Sequence, residues 1–289
     1  TIRRDFHKHP ELSGKEHRTS NEIAQYLRSL GLEVKTNIGG YGVVGILNGD
    51  KPGKRIAWRA DIDALETNFP DVVNFKSQNK GVRHMCGHDV HTTIGLGIAN
   101  VLSSQRDKIK GTVYFIFQPS EENFKGAKSM IDDDLFKIIS PEEIYGTHIY
   151  PMPTGYITAK PDLVYAYMKV LKVVFKKTAK RDAITKFIKK NISSFQNVSP
   201  GSKFFDSRNL GDPQIGIGGP NSIFKNYLTV SNRFKNEEKD DLISLKVLLN
   251  GTNKNHLDSI PRLLNKIINR SEYAQDLVSI EYSREYPAV

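Results

Sequence analysis

In the first half of the chain, short apolar runs alternate with segments of helical period, and this alternation limits the fold more than any other property of the sequence. Runs at residues 43–47, 55–60, 113–117 and 144–149 have the length of strands. Between them, residues 20–30 set Ile23, Leu27 and Leu30 on one helical face ahead of the stop signal Gly31. Residues 91–104 do the same with Ile94, Ile98 and Val101. Strands separated by helices predict an α/β sandwich around a mostly parallel, buried sheet.

The second half has another rhythm. A β-branched run at 168–175, a helix at 183–192, strands at 228–230 and 242–249, a helix at 257–268 and a last strand at 277–282 predict a smaller α+β, ferredoxin-like domain. Its helices should cover one face of an antiparallel sheet. The Pro/Gly-rich stretch 151–161 reads as the hinge region, giving domains at 1–165 and 166–289. There is no internal repeat.

Charge excludes little but directs attention. Residues 1–150 carry 20 Lys/Arg against 19 Asp/Glu, and residues 151–289 carry 22 against 13, so the net +10 sits almost wholly in the second half. The basic residues are scattered, without aromatic interleaving or a nucleic-acid module, and read as a solvated surface with no nucleic-acid partner. No apolar run approaches the roughly 20 residues that cross a bilayer, so no membrane partner is expected. Cys86 is the one cysteine, which rules out an intrachain disulfide and fits the cytoplasm. The chain opens at Thr1 with no leader-like segment, which leaves a removed leader open.

The chemistry-bearing residues follow the predicted strands. The run 55–60 ends in Asp61 and Asp63, 113–117 in Gln118-Pro119-Ser120-Glu121-Glu122, and the last run contains Thr147-His148. Ligands of open α/β sheets bind beyond the carboxyl ends of the strands. A fourth cluster, Met85-Cys86-Gly87-His88-Asp89-Val90-His91, precedes a predicted helix, where Gly87 permits a tight turn. Cys86, His88, a carboxylate and another His form a mixed S/N/O set suited to zinc or a similar divalent ion. Each piece has a plainer reading: a buried inert thiol, a structural histidine, an exposed acidic pair, or turn-capping aspartates. Their conjunction on one rim of a sheet favours a metal centre.

Past Pro119 the chain leaves its strand, so Glu121 and Glu122 can diverge, one binding metal and the other accepting a proton from the water attacking an amide. A thiol hydrolase with Cys86 as nucleophile and His88 or His91 as base is the competing chemistry. His7 and His9 read as parts of a packed turn, with a substrate pocket as the alternative.

The strings Arg3-Arg4-Asp5-Phe6-His7-Lys8-His9-Pro10-Glu11, Trp58-Arg59-Ala60-Asp61-Ile62-Asp63-Ala64-Leu65, His84-Met85-Cys86-Gly87-His88-Asp89-Val90-His91-Thr92-Thr93, Phe117-Gln118-Pro119-Ser120-Glu121-Glu122 and Gly146-Thr147-His148 run in order through the first 160 residues. In these motifs the chain resembles the aminoacylase and hippurate hydrolase type of metallopeptidase, with the auxin-conjugate amidohydrolases and, more distantly, carboxypeptidase G. The resemblance implies a catalytic α/β domain holding two divalent metal ions, zinc or manganese, interrupted by a satellite domain that forms a homodimer. By position it implies Cys86, His88, Glu122 and His148 as metal ligands, Glu121 as general base, and Asp61 as the carboxylate supporting the site from behind. The implied reaction releases an amino acid from an N-acyl amino acid or small peptide.

Two departures stand out. The family's catalytic domain is completed by a return segment carrying a last histidine ligand, and the sequence ends about where that would begin. Many relatives also carry an oxyanion-steadying histidine in the satellite domain. Here residues 174–183 have none and His256 is the only histidine of the second half, leaving Asn226, Arg181 or Arg233 as stand-ins. These departures favour the alternative of a non-catalytic, metal-dependent protein that binds peptide or acyl-amino acid.

Overall fold

The computed structural model describes residues 1–150, 154, 155, 157, 159, 166–199, 206–210, 212–216 and 219–286. Two compact units result, Thr1–Tyr150 and Pro151–Val289. Most of the expected hinge region, 151–161, and residue 165 at the expected boundary lie outside the described residues.

The first unit runs α1 (Ile2–Lys8), α2 (His17–Ser29), β1 (Glu33–Ile38), β2 (Gly42–Asn48), β3 (Lys51–Asp61), β4 (Leu65–Glu66), β5 (Val82–Arg83), α3 (His88–Ser103), β6 (Lys110–Gln118), α4 (Gly126–Asp132), α5 (Leu135–Ile138) and β7 (Glu143–Gly146). Its main sheet has the order β1-β2-β6-β3-β7. The β6–β3 and β3–β7 pairs are parallel and β2 runs against both its neighbours, so four of the five strands point one way.

Strand β6 explains the layering. Its alternate residues Val113, Phe115 and Phe117 pack with Phe6 of α1, Ile23 and Leu27 of α2, and Leu96 of α3. Tyr114 and Ile116 face the opposite way, against Met130, Leu135 and Ile139. Burial on both faces is why the run is continuously apolar, and each such side chain contributes roughly 1.5–3 kcal/mol. Helix α2 stops where Gly31 takes φ 75°, as its sequence predicts.

Three differences from the sequence expectation matter. Strand β1 alternates exposed and half-buried residues at the sheet edge before its one buried residue, Ile38, and has no apolar run to betray it. Helix α3 starts at His88, three residues earlier than its apolar spacing predicts, because the first turn buries histidines rather than aliphatics. Strand β7 ends at Gly146, so residues 147–150 leave the sheet.

The second unit contains β8 (Tyr167–Lys176), α6 (Arg181–Ser193), α7 (Ser207–Leu210), β9 (Leu228–Val230), β10 (Lys235–Lys239), β11 (Leu242–Gly251), α8 (Lys254–Asn269) and β12 (Leu277–Tyr286). The wholly antiparallel order β10-β11-β8-β12, with β9 beside β11, has the ferredoxin-like arrangement, β8 and β11 lying centrally. Helices α6 and α8 press Ile184, Ile188, Ile192, Leu257, Ile260 and Leu264 onto Leu171, Val173, Leu245 and Val247. Strand β10, Lys-Asn-Glu-Glu-Lys, is an unexpected addition: every residue is exposed, as suits a charged edge strand. Pro261 lies inside α8 and cannot donate to the Leu257 carbonyl four residues back. The Tyr282 hydroxyl of β12 donates to that oxygen instead, at 2.5 Å.

Candidate metal centre

Register decides which side chains meet. Asp61 pairs with Gln118 and Arg59 with Gly146, so β3, β6 and β7 end side by side at one rim. Gly87 caps α3 at φ 82°, a left-handed conformation that suits glycine, and turns the chain so that His88 enters the helix beneath this rim.

His88 is fully buried and centres the site. Its Nδ1 donates to the Asp63 carbonyl at 2.9 Å and stands 3.2 Å from Asp63 Oδ1, which leaves Nε2 facing the rim. Around Nε2 stand Asp61 Oδ2 at 3.6 Å, Glu121 Oε2 at 3.7 Å and Glu122 Oε1 at 3.7 Å. Donor atoms of Cys86, His88 and His148 lie within 4.8 Å of one another, as do those of His88, Glu121 and Glu122. His148 Nδ1 donates to the Ile149 carbonyl at 2.6 Å, freeing its Nε2 in turn.

The glutamates are aimed by buried groups far away in sequence. Glu16, wholly buried, accepts from the Ser120 amide at 2.8 Å and holds Ser120 at φ 53°, a strained value for a residue with a Cβ. Gly126 closes the turn: a Cβ there would stand 1.5 Å from the Pro119 carbonyl oxygen. The Glu122 amide then donates to Asp63 Oδ2 at 3.0 Å, and that oxygen also accepts from Ser13 at 2.7 Å.

Electrostatics follow from this crowding. Burial works to lower His88, but hydrogen bonding with Asp63, the nearness of Cys86 and the charges of Asp61 and Asp63 outweigh it, and its pKa is pushed up to about 11. Burial would likewise raise Asp61, yet the His91 hydrogen bond and the Arg59 charge hold it well below the usual carboxylate range. Burial raises Glu121 and Glu122, and it lowers His148.

These residues fit a divalent cation. His88 Nε2 and Glu122 Oε1 are buried without a hydrogen-bond partner, an arrangement costly for polar groups unless something fills the point they share. The 3.7 Å separation of His88 Nε2 and Glu122 Oε1 suits neighbouring ligands of one ion, for which bonds of roughly 2.0–2.3 Å are usual. Thiol, imidazole and carboxylate form a donor set that zinc accepts.

All six residues singled out in the sequence, Asp61, Cys86, His88, Glu121, Glu122 and His148, lie at this rim. One expectation about them changes: the carboxylate behind His88 is Asp63, whereas Asp61 stands on the Nε2 side. The sequence named Asp63 as a strand-end carboxylate and His91 as a candidate base, but not the roles they take here; Arg59 lay only inside a quoted motif, and Glu16 left no signal. Arg59 donates to Asp61 at 2.8 Å and to Gln118 at 2.9 Å. His7 lies in α1, buried, with its Nδ1 2.9 Å from Asp89, and His9 caps that helix and bonds the Asp5 carbonyl, so both are packed as structural groups.

Residues 57–289 match the model of peptidase family M20/M25/M40. Thermostable carboxypeptidase 2 of Saccharolobus solfataricus is 42% identical over 177 residues, 60% of this chain and 44% of that protein. N-acetyldiaminopimelate deacetylase of Priestia megaterium is 41% identical over 173 residues, 57% of this chain and 44% of that one. The matches therefore span less than half the length of these curated relatives. The crystal structure of the Bacillus subtilis YXEP protein, a dinuclear metal binding peptidase from the M20 family, superposes with a TM-score of 0.72 at 26% identity, covering 100% of this chain and 72% of that one. With most of its length matched by the family model, this chain belongs to peptidase family M20/M25/M40.

Proposed function

We propose that this chain carries the metal-binding and proton-transfer groups of an amidohydrolase acting on N-acyl amino acids or small peptides. Cys86, His88, Glu122 and His148 would hold two divalent ions, zinc or manganese. Bound there, such ions supply Lewis acidity, which acidifies water and polarises the amide carbonyl. Glu121 is the general base. Its carboxylate takes a proton from the attacking water as oxygen joins the carbonyl carbon, and delivers it to the amine nitrogen as the C–N bond breaks. Burial holds Glu121 above the ordinary carboxylate value, which suits it to both transfers. Asp63 orients His88, and Asp61 keeps negative charge beside it.

The observation that carries this reading is the gathering of donors from separated segments around His88 Nε2, with a buried orphan atom on two of them. The names of the relatives, a carboxypeptidase and an N-acetyl deacetylase, both denote amide hydrolysis. The resemblance also supports dimerisation through the second unit, which sedimentation would test. Elemental analysis combined with amine release from a panel of acylated amino acids and dipeptides tests the function. Two ions per chain and release that stops on chelation and returns with zinc or manganese are expected. A chain that binds no ion, or whose activity survives chelation, overturns it.

A further inference from the structure

His91 lies one turn beyond His88 on α3, and both its ring nitrogens are engaged. Nδ1 stands 2.6 Å from Asp61 Oδ1, and Nε2 is 2.8 Å from the backbone amide of Ile149. A backbone N–H can only donate, so Nε2 bears no proton and the hydrogen sits on Nδ1, donated to Asp61. The ring is thus neutral in one fixed tautomer, with no lone pair left for a cation. Within the cluster of Asp61, His88 and His91 donors, the chain from Asp61 through His91 to the Ile149 amide is therefore a hydrogen-bonded relay, and the cluster is not a third ligand cage.

The segment on the far side of this relay needs an anchor. Strand β7 ends at Gly146, and His148 itself is exposed, its Nδ1 bonded only to the neighbouring Ile149 carbonyl. Two contacts tie the segment to the start of α3. One is the hydrogen bond that the Ile149 amide donates to His91 Nε2. The other is packing of Ile149 on Gly87, so close that a Cβ on the glycine would stand 2.2 Å from Ile149 Cδ1. The His91 and His148 rings also meet edge to face, 4.5 Å between centroids.

We infer that His91 is a positioning residue that fastens the His148 segment to the first turn of α3, passing the fixed orientation of Asp61 across to a donor that lies beyond the end of β7. This rests on the reading of His148 as a metal ligand. Without the fastening, His148 must be ordered when the ion arrives, and that entropy is taken from binding. Groups that orient metal ligands in this way typically contribute 10–100-fold in metal affinity.

The test is a double-mutant cycle on the full chain, with zinc affinity measured by competition against a chromophoric chelator. His91→Phe removes both hydrogen bonds and is expected to weaken zinc binding 10–100-fold. His91→Gln, whose amide oxygen can accept from the Ile149 amide, is expected to recover most of that loss. In a His148→Ala background, His91→Phe should cost nothing further, because its effect passes through His148. A merely structural role would give additive losses and no rescue by Gln, and either result overturns the inference, as does a folded His91→Phe chain that binds zinc like the wild type. Should His91→Phe fail to fold, His91→Asn, whose shorter side chain does not reach the Ile149 amide, takes its place in the cycle with the same expected loss, rescue by Gln and absence of further loss in the His148→Ala background. Cys86→Ala and His148→Ala alone separate the two levels: if neither weakens zinc, the metal reading itself fails, whereas if both do and the cycle is additive, only the role of His91 fails.

Discussion

The two units of this chain fill their interiors differently. Among the described residues, the first buries twelve polar or charged side chains, including Glu16, Asp61, Asp63, His84, His88, Asp89 and His91; the second buries two, Lys169 and Thr229. Both have continuous aliphatic cores, so the difference is not one of hydrophobic content. The first unit accepts the cost of desolvating charge in order to hold a cluster that a purely apolar core could not aim. His84 shows that cost plainly: burial pushes its pKa down to about 4, and both ring nitrogens lack partners.

The sharpest way to break this contrast is to alter one carboxylate without altering the packing. Glu121→Gln should retain metal and fold while amine release falls about 10²–10⁴-fold, measured as kcat on the best substrate of the panel. Activity within a few-fold of wild type would remove Glu121 as the base. Next in size, Asp63→Asn should cost about 3–5 kcal/mol, since His88, Ser13 and the Glu122 amide all aim donors at that carboxylate. Leu264→Ala in the second unit should cost a comparable 2–5 kcal/mol, yet leave zinc affinity unchanged. Equal effects of the two on zinc would show that the units do not divide stability and chemistry as proposed.

Acid should also separate the units. Asp61 and Asp63 have depressed folded pKa values, so their contribution is full above the unfolded value of about 3.9 and is lost as pH falls through the folded ones. His88 works in the opposite direction: its contribution is full below about 6.5 and is lost only as pH rises through about 11. In the metal-free chain the first unit should therefore yield first below about pH 4. The one tryptophan, Trp58, lies on β3 of that unit, so its fluorescence should change at higher pH than the far-ultraviolet dichroism of the whole chain. Coincident transitions would contradict the expectation. The smallest effect expected is at Tyr282→Phe, about 1–3 kcal/mol from the unpaired Leu257 carbonyl, read by urea denaturation with no change in zinc affinity.

How much of this was legible in sequence depends on what each residue answers to. The apolar strands β2 and β6 could be read because burial on two faces leaves a mark in composition, whereas in β3 only the part from residue 56 onward carries that mark and its exposed start does not. Cys86, His88, Glu121, Glu122 and His148 could be picked out because their donor types recur after strand ends and because the motifs resemble a known family. Strands β1 and β10 could not, since an edge strand answers to its neighbour's backbone rather than to a core. Nor could Glu16, which acts on Ser120 from 104 residues away through a single carboxylate oxygen. Its role exists only once α2 and β6 have been brought together.

The bond from Tyr282 to Leu257 has a consequence for how the second unit comes into being. A chain made from its amino end releases α8 with an open Leu257 carbonyl at the turn that Pro261 interrupts, and the group that closes it arrives 25 residues later on β12. The helix is finished by the strand. Until β12 is made, α8 carries a backbone acceptor that only solvent can satisfy, so the strand completes the helix as well as the sheet edge beside β8.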